Sequence, residues 1–423
     1  MPSMKPKIIS RGSILLLVLV IANMGFFSGY LFQKSFYVGL LLLYLLLDVL
    51  ANTSSTKKLP FGIPLAEFCR RQKHVLLLVF VFFLVVWPTL SQMSARLEYG
   101  PGYFVHDSVV QTEEAVKFLL AGKNPYSEDY VNTSLADWKY WNPGFGENPA
   151  LYHFTYLPFL PLFILPFQIL SNAVFGWFDV RIVFILLFAV VVAVFELVFK
   201  NGERKIELIA LFSLNPWFTQ FFYQGRNDIV PLAWIVLSLA ALRAKHVKLS
   251  SLFLAFACAS KQTAWVLVPF YLAYLMKGTF TSASLRKALA KTWVLFIVLF
   301  LVVLPFILWD YRSFVDDVFS YHSGMSAASY PAGGYGFATF LVGLGFMTHD
   351  AYFPFWTLEV LFGLPLVYFL LKKQRANNTL GAMVTNYSLL TFVIFFFSRS
   401  LQDNYIGYLV SLLALGYYLD DEQ

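Results

Sequence analysis

The chain is short of the residues that staple or metallate a protein. Of 423 residues only two are cysteine, Cys69 in a basic stretch and Cys258 inside an apolar run, which excludes a disulfide framework and a cysteine-based metal site. His322 has no second histidine at helical spacing and no cysteine nearby, so no zinc site is expected there. Charge is scarce too. Asp, Glu, Lys and Arg make up 13% of the chain against 59% hydrophobic residues, and the mean hydropathy is +0.66. No soluble domain needs so much apolar surface, so the composition excludes an ordinary globular fold and indicates an integral membrane protein.

Long apolar runs are what the sequence has in abundance. They fall at about 14–31, 36–50, 75–90, 180–199, 206–222, 229–242, 292–309, 352–371, 380–397 and 405–419, each near the length that crosses a bilayer as helix. Residues 157–170 and 249–276 are less regular. Pro158, Pro161 and Pro166 suggest a broken or shallow segment in the first. In the second, two short helices turning near Ser260-Lys261-Gln262 fit the length. The expected fold is an all-α polytopic transmembrane bundle of about 11–13 helices. Lys5, Lys7 and Arg11 before the first run give it a signal-like start, but without a small-residue cleavage site it reads as an uncleaved first helix.

Charge placement orients the bundle. Lys57, Lys58, Arg70, Arg71 and Lys73 crowd residues 52–74, whereas residues 96–148 hold eight acids against four Lys or Arg. The basic loop is therefore expected inside and the acidic one outside. Further basic turns at Arg243–Lys248, Lys277–Lys291 and Lys372–Arg375 extend the pattern, and residues 336–346 are read as a short interfacial or re-entrant helix. The net charge of +7 serves orientation and anionic lipid, and nucleic acid is not an expected partner.

With that orientation, polar groups from separate loops converge on the external face: Asp107, His153, Tyr156, Arg226-Asn227-Asp228, Lys261, His322, Arg399, Asn404 and Tyr405. Several have an ordinary reading beside the functional one. Asp228 precedes an apolar helix, where an acid commonly caps, and Lys261 is long enough to snorkel to the interface. Arg399 has Asp403 close by as an ion partner. Asp107 precedes residues 109–120, whose apolar Val109, Val110, Val116 and Leu119 oppose polar Gln111, Thr112, Glu113 and Glu114. That pattern predicts an amphipathic helix on the membrane surface with Asp107 at its start, and it leaves Glu113 and Glu114 as complements to the helix dipole.

Asp107 with Glu114-Ala115, the run Leu120-Ala121-Gly122-Lys123-Asn124-Pro125-Tyr126, and Tyr156-Leu157-Pro158 together resemble the first external loop of the GT-C glycosyltransferases. Leu214-Asn215-Pro216, Gly225-Arg226-Asn227-Asp228 and Ala259-Ser260-Lys261 through Pro269 follow the order seen in bacterial polyprenyl-phosphate-mannose-dependent mannosyltransferases and the glycosylphosphatidylinositol mannosyltransferase I family. The likeness covers about residues 97–270, with an echo at 398–405.

The resemblance implies a GT-C-like membrane enzyme. It would take a hexose, with mannose the leading choice, from a polyprenyl-phosphate-sugar donor. Transfer would be to a lipid or glycan acceptor on the external or luminal side, with inversion. Asp107 matches the position of the general base, and Lys261, Arg226 and Arg399 are its candidate phosphate cations. Asp228, His322, Tyr156, His153, Asn404 and Tyr405 complete the expected substrate site.

This sequence also departs from the pattern. The Asp-X-Asp pair of some relatives is absent, since Ser108 and Val109 follow Asp107. No metal ligand or cofactor is therefore assigned, although a divalent ion is not excluded. Three parts are expected: a hairpin and basic loop at 1–74, a core at 75–310 with its external loop at 92–156, and a C-terminal part at 311–423. The expected location is a plasma membrane, or the endoplasmic reticulum in a eukaryote. A transporter or flippase of lipid-linked or small polar substrates is the rival class, for which Asp48 and Glu196 inside apolar runs are the residues to watch.

Overall fold

A computed structural model describes residues 8–26, 31–53, 57–60, 62–138 and 147–421. Lys5, Lys7 and residues 139–146 of the acidic loop lie outside that set. The described chain is an all-α bundle, its β structure limited to a parallel contact of Gly333–Gly334 with Ser400–Leu401 and an antiparallel bridge of Lys58 with Pro64. Among the described residues five helices are long and apolar enough to cross a membrane: Gln33–Thr53, Leu65–Tyr99, Arg181–Val198, Phe355–Ala376 and Leu380–Phe397. Ser282–Lys291 and Trp293–Trp309, bent by 59°, form a sixth if taken together. The expected 11–13 crossings also relied on shorter apolar helices, among them Phe159–Phe175, Ile229–Arg243 and Val247–Ser260. Leu197, Leu364 and Phe369 are exposed on the spans, as contact with hydrocarbon chains requires.

Phe159–Phe175 runs unbroken, contrary to the expected shallow segment. Pro158 is its cap residue and Pro161 falls in the first turn, where no intrahelical N–H is needed, so only Pro166 interrupts the ladder. The 249–276 region is divided as expected. Val247–Ser260 ends at Lys261, whose backbone is extended, and a 3₁₀ turn over Gln262–Leu267 leads into Val268–Leu275.

Two charged features differ from their sequence reading because their partners are distant in the chain. Lys73 is no solvated loop cation. It lies in the Leu65–Val81 helix, fully buried, 2.5 Å from Asp48 and 3.1 Å from Glu203. Asp48 also accepts from the Ser10 backbone N–H at 2.7 Å, and Glu196 pairs with His74 and with Lys205. Both acids flagged for a transport path thus serve as ties between helices.

The second feature is the Asp107–Leu120 helix, which is buried on nearly every side from Ser108 to Val116. Its polar side packs into protein instead of facing water. Gln111 donates to the carbonyls of Ala150 and His153 at 2.7 and 2.6 Å. Glu113 is clamped by Arg96 at 2.7 Å, and Arg96 also reaches Asp179 at 2.9 Å. Asp179 pairs in turn with fully buried Arg181, which donates to the Phe104 and Tyr223 carbonyls. The helix is thereby fixed as part of the bundle, and Asp107 at its first turn inherits that rigidity.

Candidate active site

Asp107 opens its helix behind the cap residue His106, whose Nδ1 lies 3.2 Å from the Ser108 backbone nitrogen. The His106 N–H donates to the Gln224 carbonyl at 2.8 Å, so the start of this helix is tied to the turn before Arg226. His106 Nδ1 lies 2.6 Å from the Asp107 carboxylate, which is partly exposed. Burial works to raise the Asp107 carboxyl, yet the His106 ring, Arg226 and the Ser108 N–H together hold it below the usual carboxylate range. Asp107 therefore stays ionised at neutral pH and is available to accept a proton.

Gly225 makes the close approach of these two segments feasible. Its φ is +87°, and a Cβ there would lie 2.3 Å from Val109 Cγ2 and 3.1 Å from Arg181 Cγ. Gly225→Ala combines left-handed strain with a clash against a buried helix. The expected result is a loss of about 1–3 kcal/mol of stability, seen as a lower Tm, with a fall in kcat/KM as the Asp107 turn is pushed away. Unchanged activity at an unchanged Tm would remove Gly225 from the placement of Asp107.

The next turn supplies the cations. Arg226 lies 3.2 Å from Asp403 and 2.5 Å from the Asn404 side-chain oxygen, and its guanidinium sits 4.5 Å from the Phe221 ring centre. Its Nε is buried and has no hydrogen-bond partner among the described residues. Asp228 occupies the cap position of Ile229–Arg243 but makes no side-chain cap bond. It binds Lys261 at 2.5 Å and accepts from the Asn404 amide at 2.5 Å. Lys261 donates also to Asn227 at 3.2 Å and stands 5.1 Å from the Tyr405 ring centre. The ordinary readings of both residues, a cap and a snorkelling cation, give way to a buried pair.

Tyr156 joins the two halves. Its hydroxyl lies within electrostatic reach of Asp107, Asp228 and Tyr405. His322 is exposed beside the rings of Tyr321 and Tyr330 and feels the charges of Lys261 and His153. His153 is buried and bonds Asp317 at 2.8 Å, while Asp317 also accepts from the Phe154 N–H at 2.7 Å. Burial pushes the Asp317 carboxyl up to about 6 in spite of these donors.

Arg399 is the one expected site residue that the structure turns elsewhere. Its guanidinium donates to the carbonyls of Tyr330, His349, Asp350 and Ala351, which ties the 330–351 segment to the turn before Asn404. His106, Ser108 and Asp403 join the cluster although the sequence singled out none of them as a site residue. Their signal was adjacency to Asp107 and Asn404. A cavity of about 290 Å³ lies further along the Asp107 helix, walled by Arg96, Glu113, Gln168, Trp177 and Asp179, and the cluster itself does not line it.

The polytopic helical bundle thus gathers an acid, two paired cations and aromatic rings from five separate segments. The chain belongs to glycosyltransferase family 87, whose model matches residues 154–398, more than half of its length. It is thus a membrane glycosyltransferase. The match covers Tyr156, Arg226, Asp228, Lys261 and His322, and it begins after the Asp107 helix and ends before Arg399. No curated protein matches the chain.

Proposed function

We propose that the enzyme transfers a hexose, mannose by resemblance, from a polyprenyl-phosphate-sugar to a lipid-linked or glycan acceptor on the external or luminal face. The observation that carries this reading is the convergence of Asp107 with the Arg226, Asp228, Lys261 and Asn404 cluster, in which a buried guanidinium nitrogen has no partner. A buried free donor beside a second cation suits a phosphate oxygen.

In the reaction the acceptor oxygen forms its bond to the anomeric carbon from the face opposite the phosphate. The bond from that carbon to the phosphate oxygen breaks, and the electron pair leaves with the polyprenyl phosphate. Asp107 takes the acceptor proton as this happens. Arg226 Nε and the third Lys261 proton meet the charge that grows on the leaving phosphate. Tyr405, stacked on Phe395 with Lys261 over its ring, holds that cation in place. This scheme assigns no step to a metal ion. Asp48 and Glu196, held in structural pairs, give the transporter alternative no support.

Purified protein incubated with radiolabelled polyprenyl-phosphate mannose, glucose or arabinose and extracted lipid acceptors tests the donor. Labelled product from the mannose carrier is expected. If none of the three gives product or hydrolysis, the polyprenyl-phosphate donor class is wrong even though the family membership stands.

A further inference from the structure

The fold gives a cationic partner to nearly every acid that it buries. Asp48 has Lys73, Glu113 has Arg96, Glu114 has Lys117, Asp179 has Arg181 and Asp228 has Lys261. Asp317 is the exception. Its side chain is 4% exposed, a second carboxylate follows directly beside it at Asp316, and among the described residues the only ion partner of either is His153. The Asp317 carboxylate is thus out of water with only an imidazole as ion partner, which is costly unless a cation is bound, and Asp316 adds a second, half-exposed negative charge beside it.

The geometry is that of a ligand set. The His153 Nδ1 atom lies 2.8 Å from an Asp317 oxygen and 3.6 Å from an Asp316 oxygen, and the three atoms fall within 4.8 Å of one another. Ligands about 2.1 Å from one ion sit roughly 3 to 4.3 Å apart, so an ion would fit with little side-chain movement. Neighbouring residues of a regular α-helix point about 100° apart, yet both carboxylates reach one imidazole. Residues 316–320 form a π-turn, a distortion common at functional sites. Ser326 Oγ holds Asp316 at 2.6 Å and the Phe154 N–H holds Asp317 at 2.7 Å, the outer support that orients ligands.

We propose that His153, Asp316 and Asp317 form a divalent-cation site. One imidazole with two carboxylates favours Mn²⁺ or Zn²⁺ over the all-oxygen preferences of Mg²⁺ and Ca²⁺. Asp316 is about half exposed, which gives the ion a way in, and water completes its coordination. The ion clips the segment carrying Tyr321 and His322 to the loop carrying Tyr156, and so holds one wall of the active site. Its existence does not depend on which sugar or carrier the enzyme uses.

The test is a Mn²⁺ titration of the full-length, chelator-treated protein in detergent, following loss of the free-ion paramagnetic resonance signal. One saturable equivalent is expected, with a metal-dependent rise in Tm. Asp316→Asn is the informative variant because its half-exposed side chain is not needed for packing. It should stay monodisperse, bind Mn²⁺ at least ten-fold more weakly and lose the Tm response, with Asp317→Asn weaker still. Absence of a saturable equivalent in the wild-type protein, or less than a ten-fold loss in Asp316→Asn, overturns the proposal.

Discussion

Asp107→Asn will lower kcat/KM by roughly 100- to 10,000-fold, the usual range for a positioned general base, with little change in Tm or in donor affinity. The amide keeps the size of the carboxylate and its place at the first turn of the helix, so the surrounding hydrogen bonds survive. What it lacks is the capacity to take the acceptor proton. The pH profile supplies a second readout. The carboxyl is held below its ordinary range by His106 and Arg226 against the effect of burial, so its basic form is present above that value and is lost as pH falls through it. The acid limb of kcat/KM should thus lie below the ordinary carboxylate range. An acid limb near pH 6, or an active Asp107→Asn enzyme, would remove Asp107 from the role of base.

The second large effect belongs to Lys261. Lys261→Met should cost about 100- to 1,000-fold in kcat, the scale of removing one group that stabilises developing charge. It also strands Asp228, and an unpaired buried charge costs about 3–5 kcal/mol. Loss of activity alone would therefore confuse chemistry with folding. The double variant Lys261→Met with Asp228→Asn separates them, since no net charge remains to be compensated. Its Tm should recover towards wild type while turnover stays low. If turnover recovers with the Tm, Lys261 is a structural ion-pair partner and the phosphate relies on Arg226.

How much of this was legible in advance depends on how far apart the partners sit. The apolar runs announced a helical membrane protein, and local patterns placed Asp107 at a helix start and Lys261 at a break between helices. Both readings need only neighbours in the chain. Lys73 looked like a basic-loop residue because its partners, Asp48 and Glu203, are 25 and 130 positions away. Glu113 looked like a dipole complement because Arg96 lies 17 positions away and the Val180 N–H, from which it also accepts, lies 67 positions away. His153 and Asp317 are 164 positions apart, and no spacing rule connects them. Arg399 was legible as a cation with Asp403 close by as ion partner, but its partners are backbone carbonyls, which carry no residue-type signal. The span count was least accessible, because a 14- or 15-residue apolar helix is ambiguous until its neighbours are known.

The Asp403–Asp421 helix has a consequence for how the enzyme comes into being. Its first turn supplies Asn404 to Asp228 and Asp403 to Arg226, residues translated some 175 positions earlier. Emergence from the ribosome runs from the N-terminal end, so the acid at Asp107 and the cations at Arg226 and Lys261 are in the membrane well before the strut that aligns them. Until that helix inserts, Asp228 and Arg226 lack the Asn404 and Asp403 partners that the finished bundle gives them.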